Sequence, residues 1–242
     1  MRIDGRKNSD LRQIKITPNV NLYSEGSAMV EFGHTKVLCT ASIEPTIPKW
    51  LQGSGKGWVT AEYGMLPRAT STRNRREKVA TAGRTQEISR LIGRGLRSVV
   101  DMSCLGENQI TVDCDVLQAD GGTRTASITG GFVALALALN RMKSMGTIKS
   151  TGLLNYVAAV SVGIENKVAM IDLCYEEDSA ADIDMNFVIN SQNQFIEIQG
   201  TAEQGSFSDD DLQSMIGLAK NGCLELFKLQ SQIIGEFLPL KT

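Results

Sequence analysis

Two stretches of this 242-residue chain bring reactive residue types close enough to work together. The first, residues 120–130, reads Asp-Gly-Gly-Thr-Arg-Thr-Ala-Ser-Ile-Thr-Gly. The glycine pair allows a tight turn and a close approach of ligand to backbone, and Thr123, Arg124 and Ser127 add hydroxyls and a guanidinium. If a helix starts there, its unpaired N–H groups and positive dipole end favour an anion, so the turn reads as a phosphate cradle. The competing reading is a tight strand-to-helix turn with a helix cap. The second stretch, residues 172–186, holds six carboxylates between Asp172 and Asp184. Mg²⁺ takes oxygen ligands, commonly one or two carboxylates plus substrate phosphate. Asp178 and Asp184 are the candidate pair: Asp178 lies in a loop and Asp184 begins the next strand, so both can converge on one point. The competing reading is an acidic solvent loop that neutralises arginines. An EF-hand is excluded, because the stretch has no glycine.

A third feature is charge. The formal net charge is −2, yet Arg68, Arg73, Arg75, Arg76, Lys78, Arg84, Arg90, Arg94 and Arg97 cluster within thirty residues against only Glu77 and Glu87. A concentrated basic window in an otherwise acidic protein is the footprint of a polyanion site, whereas a merely solvated face would mix both signs. Arg84 sits at the edge of a helix start, where an arginine opposes the dipole unless an anion lies between them.

Several chemistries are excluded. His34 is the only histidine, so one chain cannot supply a two-histidine nuclease mechanism. A Ser-His-Asp triad would have to use His34, which sits in a strand-turn context. Residues 53–57 (Gly-Ser-Gly-Lys-Gly) fail as a P-loop, because Trp50 occupies the first glycine position and Gly57 follows the lysine. The five cysteines are scattered and lack CxxC spacing, which fits reduced cytoplasmic thiols better than a disulfide or zinc framework. Nothing approaches a transmembrane span, and the charged N-terminus carries no apolar signal-peptide run.

The elements that position these residues follow from hydrophobic periodicity. Residues 109–117 alternate as a strand, and residues 132–142, rich in Ala and Leu, form a buried helix after the cradle. Residues 28–32 and 36–43 make a strand pair around Gly33 and His34, and residues 58–63 another strand. Residues 67–83 form a long polar loop, and residues 85–100 a helix with Ile88, Leu91, Ile92, Leu96 and Val99 on its buried stripe. After a linker at 143–152 come two hairpins, 156–164 with 168–173 and 185–189 with 195–199. A final helix starts at the N-cap Ser208. Strand pairs followed by helices in both halves suggest an internal duplication, with a boundary near residue 150 that separates units 1–150 and 151–242.

An anion cradle, an arginine-rich loop and a carboxylate pair together point to chemistry on a phosphodiester, resting on positioning and charge stabilisation. The nucleophile is water or phosphate, and a dedicated cradle for a free anion argues for phosphate.

The residues that carry these features also carry a resemblance. Arg2-Ile3-Asp4-Gly5-Arg6, Gly26-Ser27-Ala28, the run 53–68, the run 83–92 beginning Gly-Arg-Thr-Gln-Glu, the run 118–130 and the run 177–186 occur in the order and spacing of the bacterial ribonuclease PH family. Over nearly its whole length the chain resembles these phosphorolytic 3′–5′ exoribonucleases. The resemblance implies an α+β fold like domain 2 of ribosomal protein S5, and a homo-hexamer built as a trimer of dimers. It implies removal of nucleotides from RNA 3′ ends, notably tRNA precursors, with inorganic phosphate attacking and nucleoside diphosphates leaving, in a reaction that runs backwards as nucleotidyl transfer. It implies phosphate ligands at Arg84, Gly122, Thr123 and Arg124 with Ser127 close by, a catalytic and Mg²⁺-binding pair at Asp178 and Asp184, and tRNA contacts at Arg68, Arg73 and Arg76. The chain is slightly shorter than the family between Arg76 and Arg84, which alters the reach of the arginine loop. Two rivals remain at this point: a non-catalytic RNA-binding ring subunit of an exosome-like assembly, and a hydrolytic nuclease.

Overall fold

The computed structural model describes residues 2–75, 83–203 and 205–235. Among them, nine strands form two sheets. The first sheet holds β1 (Ile14–Pro18), β2 (Gly26–Phe32), β3 (Thr35–Glu44), β4 (Trp58–Met65) and β5 (Gln109–Gln118) in the order β1-β2-β3-β5-β4. Every pairing in it is antiparallel except β4 with β5. The second sheet is fully antiparallel, with β6 (Val157–Glu165), β7 (Val168–Ile171), β8 (Ile183–Asn190) and β9 (Phe195–Ala202) in the order β7-β6-β8-β9. The helices are α1 (Gly83–Arg97), α2 (Thr123–Ser144), α3 (Tyr175–Ala180) and α4 (Asp209–Ile234). The class is α+β, in agreement with the pattern of hairpins followed by helices.

Strand β2 alternates buried and half-buried residues, the period-2 signature of a strand with one covered face. Strand β6 is buried along almost its whole length, because α2 and α4 both pack against it. Helix α2 packs on β2, β3 and β5 of the first sheet and on β6 of the second. Apolar side chains surround it, and Phe132, Leu135 and Leu139 are fully buried in a core that both sheets share. Each such side chain contributes about 1.5–3 kcal/mol, so this helix is a rigid base for whatever its N-terminus carries.

Two elements differ from the sequence expectation. Helix α2 starts at Thr123, well before Phe132. Its first turns are rich in Thr, Ser and Gly, which hide the helical pattern, yet they are buried. There Thr125 Oγ1 and Ser127 Oγ donate back to the carbonyls of Gly122 (2.9 Å) and Thr123 (2.8 Å). The acidic stretch is also more ordered than a loop. Residues Tyr175–Ala180 form the short helix α3, whose start is stabilised by the Glu177 carboxylate accepting from the Cys174 N–H at 3.1 Å. Of the long polar loop, residues 67–75 carry turns but no helix or strand. Residues 76–82 lie outside the described residues.

Candidate active site

A cavity of about 930 Å³ opens where the N-termini of α1 and α2 meet α3 and β8. Arg84 reaches it from α1, Gly122, Thr123 and Arg124 from the start of α2, Asp178 from α3 and Asp184 from β8. Residues separated by up to a hundred positions thus face one space.

The turn between β5 and α2 forms its floor. Gly121 and Gly122 have φ of +69° and +64°, backbone that an L side chain rarely adopts. A Cβ on Gly121 would lie 2.4 Å from the Leu173 carbonyl oxygen, so the turn packs directly against the chain entering α3. Gly122 is the N-cap of α2, and among the described residues no side chain caps that helix start. Glycine is itself a common N-cap residue, so the turn is also a tight strand-to-helix connection with a glycine cap. Thr123 Oγ1 is 2.8 Å from the Tyr63 hydroxyl, which fixes its rotamer. Arg124 donates from Nη1 to Gln199 Oε1 at 3.0 Å and lies 3.7 Å from Glu87. Both partners hold its guanidinium from one side. Arg84 forms no salt bridge or hydrogen bond with another described residue and stands exposed in the first turn of α1.

The carboxylates face these cations. Asp178 stays exposed at the cavity, where partial desolvation pushes its carboxyl up and Arg124, Arg84 and Arg12 oppose the rise. Asp184 is pushed up to about 6, first by burial and then by the charge of Asp178. Its Oδ1 is buried with no hydrogen-bond partner. A buried carboxylate oxygen left unpaired is costly, and a cation beside it would remove that cost. Among the described residues no cluster of three or more His, Cys, Asp or Glu side chains forms a metal cage. Two carboxylates in an open cavity are nevertheless the donor set that Mg²⁺ takes when substrate phosphate completes its shell.

Other residues singled out from the sequence lie elsewhere. Ser127 is fully buried, with its hydroxyl turned back to Thr123, so the structure does not bring it to the cavity wall. Arg68 is exposed and donates to the Ser71 carbonyl at 3.3 Å; Arg73 is exposed too, and neither lines the cavity. Arg76 falls outside the described residues. Arg75 and Asn74, from the same loop, do line it, as does Asn186 from β8. The signal for Arg75 was the basic window itself; no sequence signal distinguishes it from Arg73. His34 sits exposed on the β2–β3 turn, away from this cavity. Of the six acidic residues, Asp172 and Glu177 turn inward to pair with Arg12 and Arg2. The neutralising role considered for the acidic stretch is thus real for those two.

Opposed arginines and carboxylates around an open cavity are groups that an enzyme acting on phosphate esters uses. Residues 10–139 match domain 1 of the 3′ exoribonuclease family and residues 155–222 match its domain 2. The chain is 61% identical over 236 residues to Ribonuclease PH of Bdellovibrio bacteriovorus, covering 98% of this chain and 97% of that protein. Its fold is similar to a chain of the Archaeoglobus fulgidus exosome with RNA bound to the active site, with TM-score 0.78, 22% identity and coverage of 94% and 92%. It is similar as well to rice Rrp46, with TM-score 0.74, 20% identity and coverage of 97% and 98%. The chain belongs to the 3′ exoribonuclease family. Within it, the chain is a phosphorolytic 3′–5′ exoribonuclease of the ribonuclease PH type, with nucleotidyltransferase chemistry.

Proposed function

We propose that this cavity performs the phosphorolysis, with inorganic phosphate held by Arg84, Thr123, Arg124 and the open start of α2. The observation that carries this reading is the convergence of two arginines and an uncapped helix N-terminus opposite two raised carboxyls. One phosphate oxygen attacks the phosphorus of the last phosphodiester. The new P–O–P bridge forms as the bond to the penultimate 3′-oxygen breaks. The products are a nucleoside 5′-diphosphate and an RNA shorter by one nucleotide with a free 3′-hydroxyl. One carboxyl of the pair, Asp178 or Asp184, delivers the proton to the departing 3′-oxygen. Arg84 and Arg124 oppose the charge that accumulates on the equatorial oxygens. Asp178 and Asp184 would hold Mg²⁺, which supplies further neutralisation of phosphoryl charge when bound. Because the product keeps a phosphoanhydride, the same groups run the reaction backwards when diphosphates are abundant.

The polymer comes from the basic side. Arg68, Arg73 and Arg76, together with Arg75 on the cavity wall, are assigned to the RNA backbone, with tRNA precursors as the natural 3′ ends. The assembly is a homo-hexamer, a trimer of dimers, and its compartment is the cytoplasm. The scattered cysteines, unpaired among the described residues, support that compartment. The alternative of a non-catalytic ring subunit is not favoured by the 61% identity to Ribonuclease PH, and Arg84, Arg124, Asp178 and Asp184 all line the cavity.

The test is Arg124→Ala assayed on RNA with and without phosphate, beside a mass measurement. We expect phosphate-dependent trimming to fall by at least about 100-fold, in line with the loss of a charge-stabilising donor, with assembly unchanged. Full phosphorolysis in that variant would refute the assignment.

A further inference from the structure

The phosphate turn and the carboxylates come from different sheets, and three N-terminal arginines, Arg2 and Arg12 buried and Arg6 half-buried, have no step in the chemistry above. Arg12 keeps only 4% of its side chain exposed, and Asp172 only 1%. Arg12 donates from Nε and Nη2 to the two carboxylate oxygens of Asp172, at 3.0 and 2.7 Å. Its backbone N–H donates to the same carboxylate at 2.7 Å. Nη1 donates to the Asp120 carbonyl, and Nη2, besides its bond to Asp172, donates to the Gly121 carbonyl at 3.5 Å. One side chain therefore holds both the phosphate turn and the chain leading to α3. Asp172 itself is held in left-handed backbone (φ +54°), a conformation that a non-glycine residue keeps only when its surroundings impose it.

Neighbouring contacts extend this bridge. Thr35 Oγ1 donates to the Gly121 carbonyl at 2.6 Å and accepts from the Asp120 N–H at 2.9 Å. The Tyr175 N–H, at the start of α3, donates to Asp120 Oδ1 at 3.1 Å. Arg2 forks onto Glu177 at 2.8 and 2.6 Å and donates to the carbonyls of Ile171 (2.7 Å) and Asp172 (3.1 Å). Glu177 directly precedes Asp178. Arg6 adds contacts at 3.3 Å to the Asp172 carbonyl. Buried ion pairs add little net stability, because desolvation offsets attraction, but a bidentate arginine fork fixes direction and distance.

We propose that Arg12 is a positioning residue for phosphorolysis: by gripping Asp172 and the carbonyls of the phosphate turn together, it sets where phosphate lies relative to Asp178 and Asp184. Arg2, through Glu177, sets the angle of α3 and so the place of Asp178. The proposal rests on the phosphorolytic reading of the cavity.

The test measures kcat and the KM for phosphate and for RNA in the wild type, Arg12→Lys, Thr35→Val, Thr35→Ser and Arg2→Lys. It also measures melting temperature with and without inorganic phosphate. Arg12→Lys keeps the charge but loses the fork, and Thr35→Val loosens the same turn without stranding a charge. Both should raise the KM for phosphate by roughly tenfold or more, the scale of a small misplacement of reacting groups. In both, the KM for RNA stays at the wild-type value and the melting shift produced by phosphate shrinks. Thr35→Ser, which keeps the hydroxyl, restores the phosphate KM, and Arg2→Lys lowers kcat while leaving it unchanged. If Arg12→Lys does not fold, Thr35→Val against Thr35→Ser decides. The proposal is overturned if phosphate KM and phosphate-induced melting shift stay at wild-type values while activity falls only with the folded fraction. A wild type indifferent to phosphate would instead overturn the function, and this inference with it.

Discussion

Asp184 carries one carboxylate oxygen buried without a partner, beside a second acid, and its carboxyl is pushed up to about 6 from 3.8. The folded state thus binds the proton more tightly than the unfolded chain. Unfolding free energy then falls as pH rises from about 4 to about 6 and stays lower above that window. The roughly two-unit shift corresponds to an upper bound of about 3 kcal/mol of native-state cost at neutral pH in the absence of metal. Asp184→Asn removes the charge and keeps the shape. In chelator, thermal melts should place the variant above the wild type at pH 7.5, with the gap closing toward pH 4, and phosphorolysis should be lost. Equal melting temperatures at pH 7.5 would contradict this account of Asp184. The same residue then holds a strained carboxyl that substrate, metal or proton relieves, which is what a group used in catalysis requires.

At the scale of elements, the β5–α2 turn is the most constrained piece of the site. Gly121→Ala combines an unfavourable φ with a methyl 2.4 Å from the Leu173 carbonyl oxygen. It should destabilise the fold by about 1–3 kcal/mol in chemical denaturation and raise the KM for phosphate, because relief of the clash moves the cradle. Gly217 in α4 is the contrasting case. Nothing lies near the Cβ it would gain, so Gly217→Ala should stabilise by about 0.5–1 kcal/mol with unchanged kinetics. A loss of activity in Gly217→Ala would mean α4 bears on the site. Legibility in the sequence follows the range of the forces involved. Period-2 alternation marked β2, β3 and β5, and Ser208 followed by three aspartates marked the start of α4, because those signals are local. The onset of α2 was hidden, since its Thr- and Gly-rich first turns are buried by two sheets instead of carrying an apolar stripe. Short α3 read as a loop, because it spans only six residues and is oriented by Arg2 gripping Glu177 across 175 positions. Arg84, Thr123, Arg124, Asp178 and Asp184 were legible by type and spacing. Arg12, Thr35, Tyr63 and Gln199 were not, because each acts through a partner distant in sequence.

For the whole molecule, the proposed assignment of the basic window to the RNA backbone makes binding an electrostatic process. Replacing Arg73, Arg75 and Arg76 by alanine should weaken RNA affinity and flatten its salt dependence. For each RNA phosphate that an arginine no longer neutralises, the slope of log K against log salt becomes shallower by about 0.7. An unchanged slope would place the RNA elsewhere. Native mass measurement should give six copies of the 26.3 kDa chain, and a monomer alone would refute the ring. All of this depends on one chemical claim, that phosphate and not water takes the RNA apart. The direct measurement is digestion of RNA with isotopically labelled inorganic phosphate, followed by mass analysis of the released nucleotides. The account predicts nucleoside diphosphates with the label in the terminal phosphate, and no release without phosphate. Unlabelled monophosphates, formed at the same rate with or without phosphate, would contradict it.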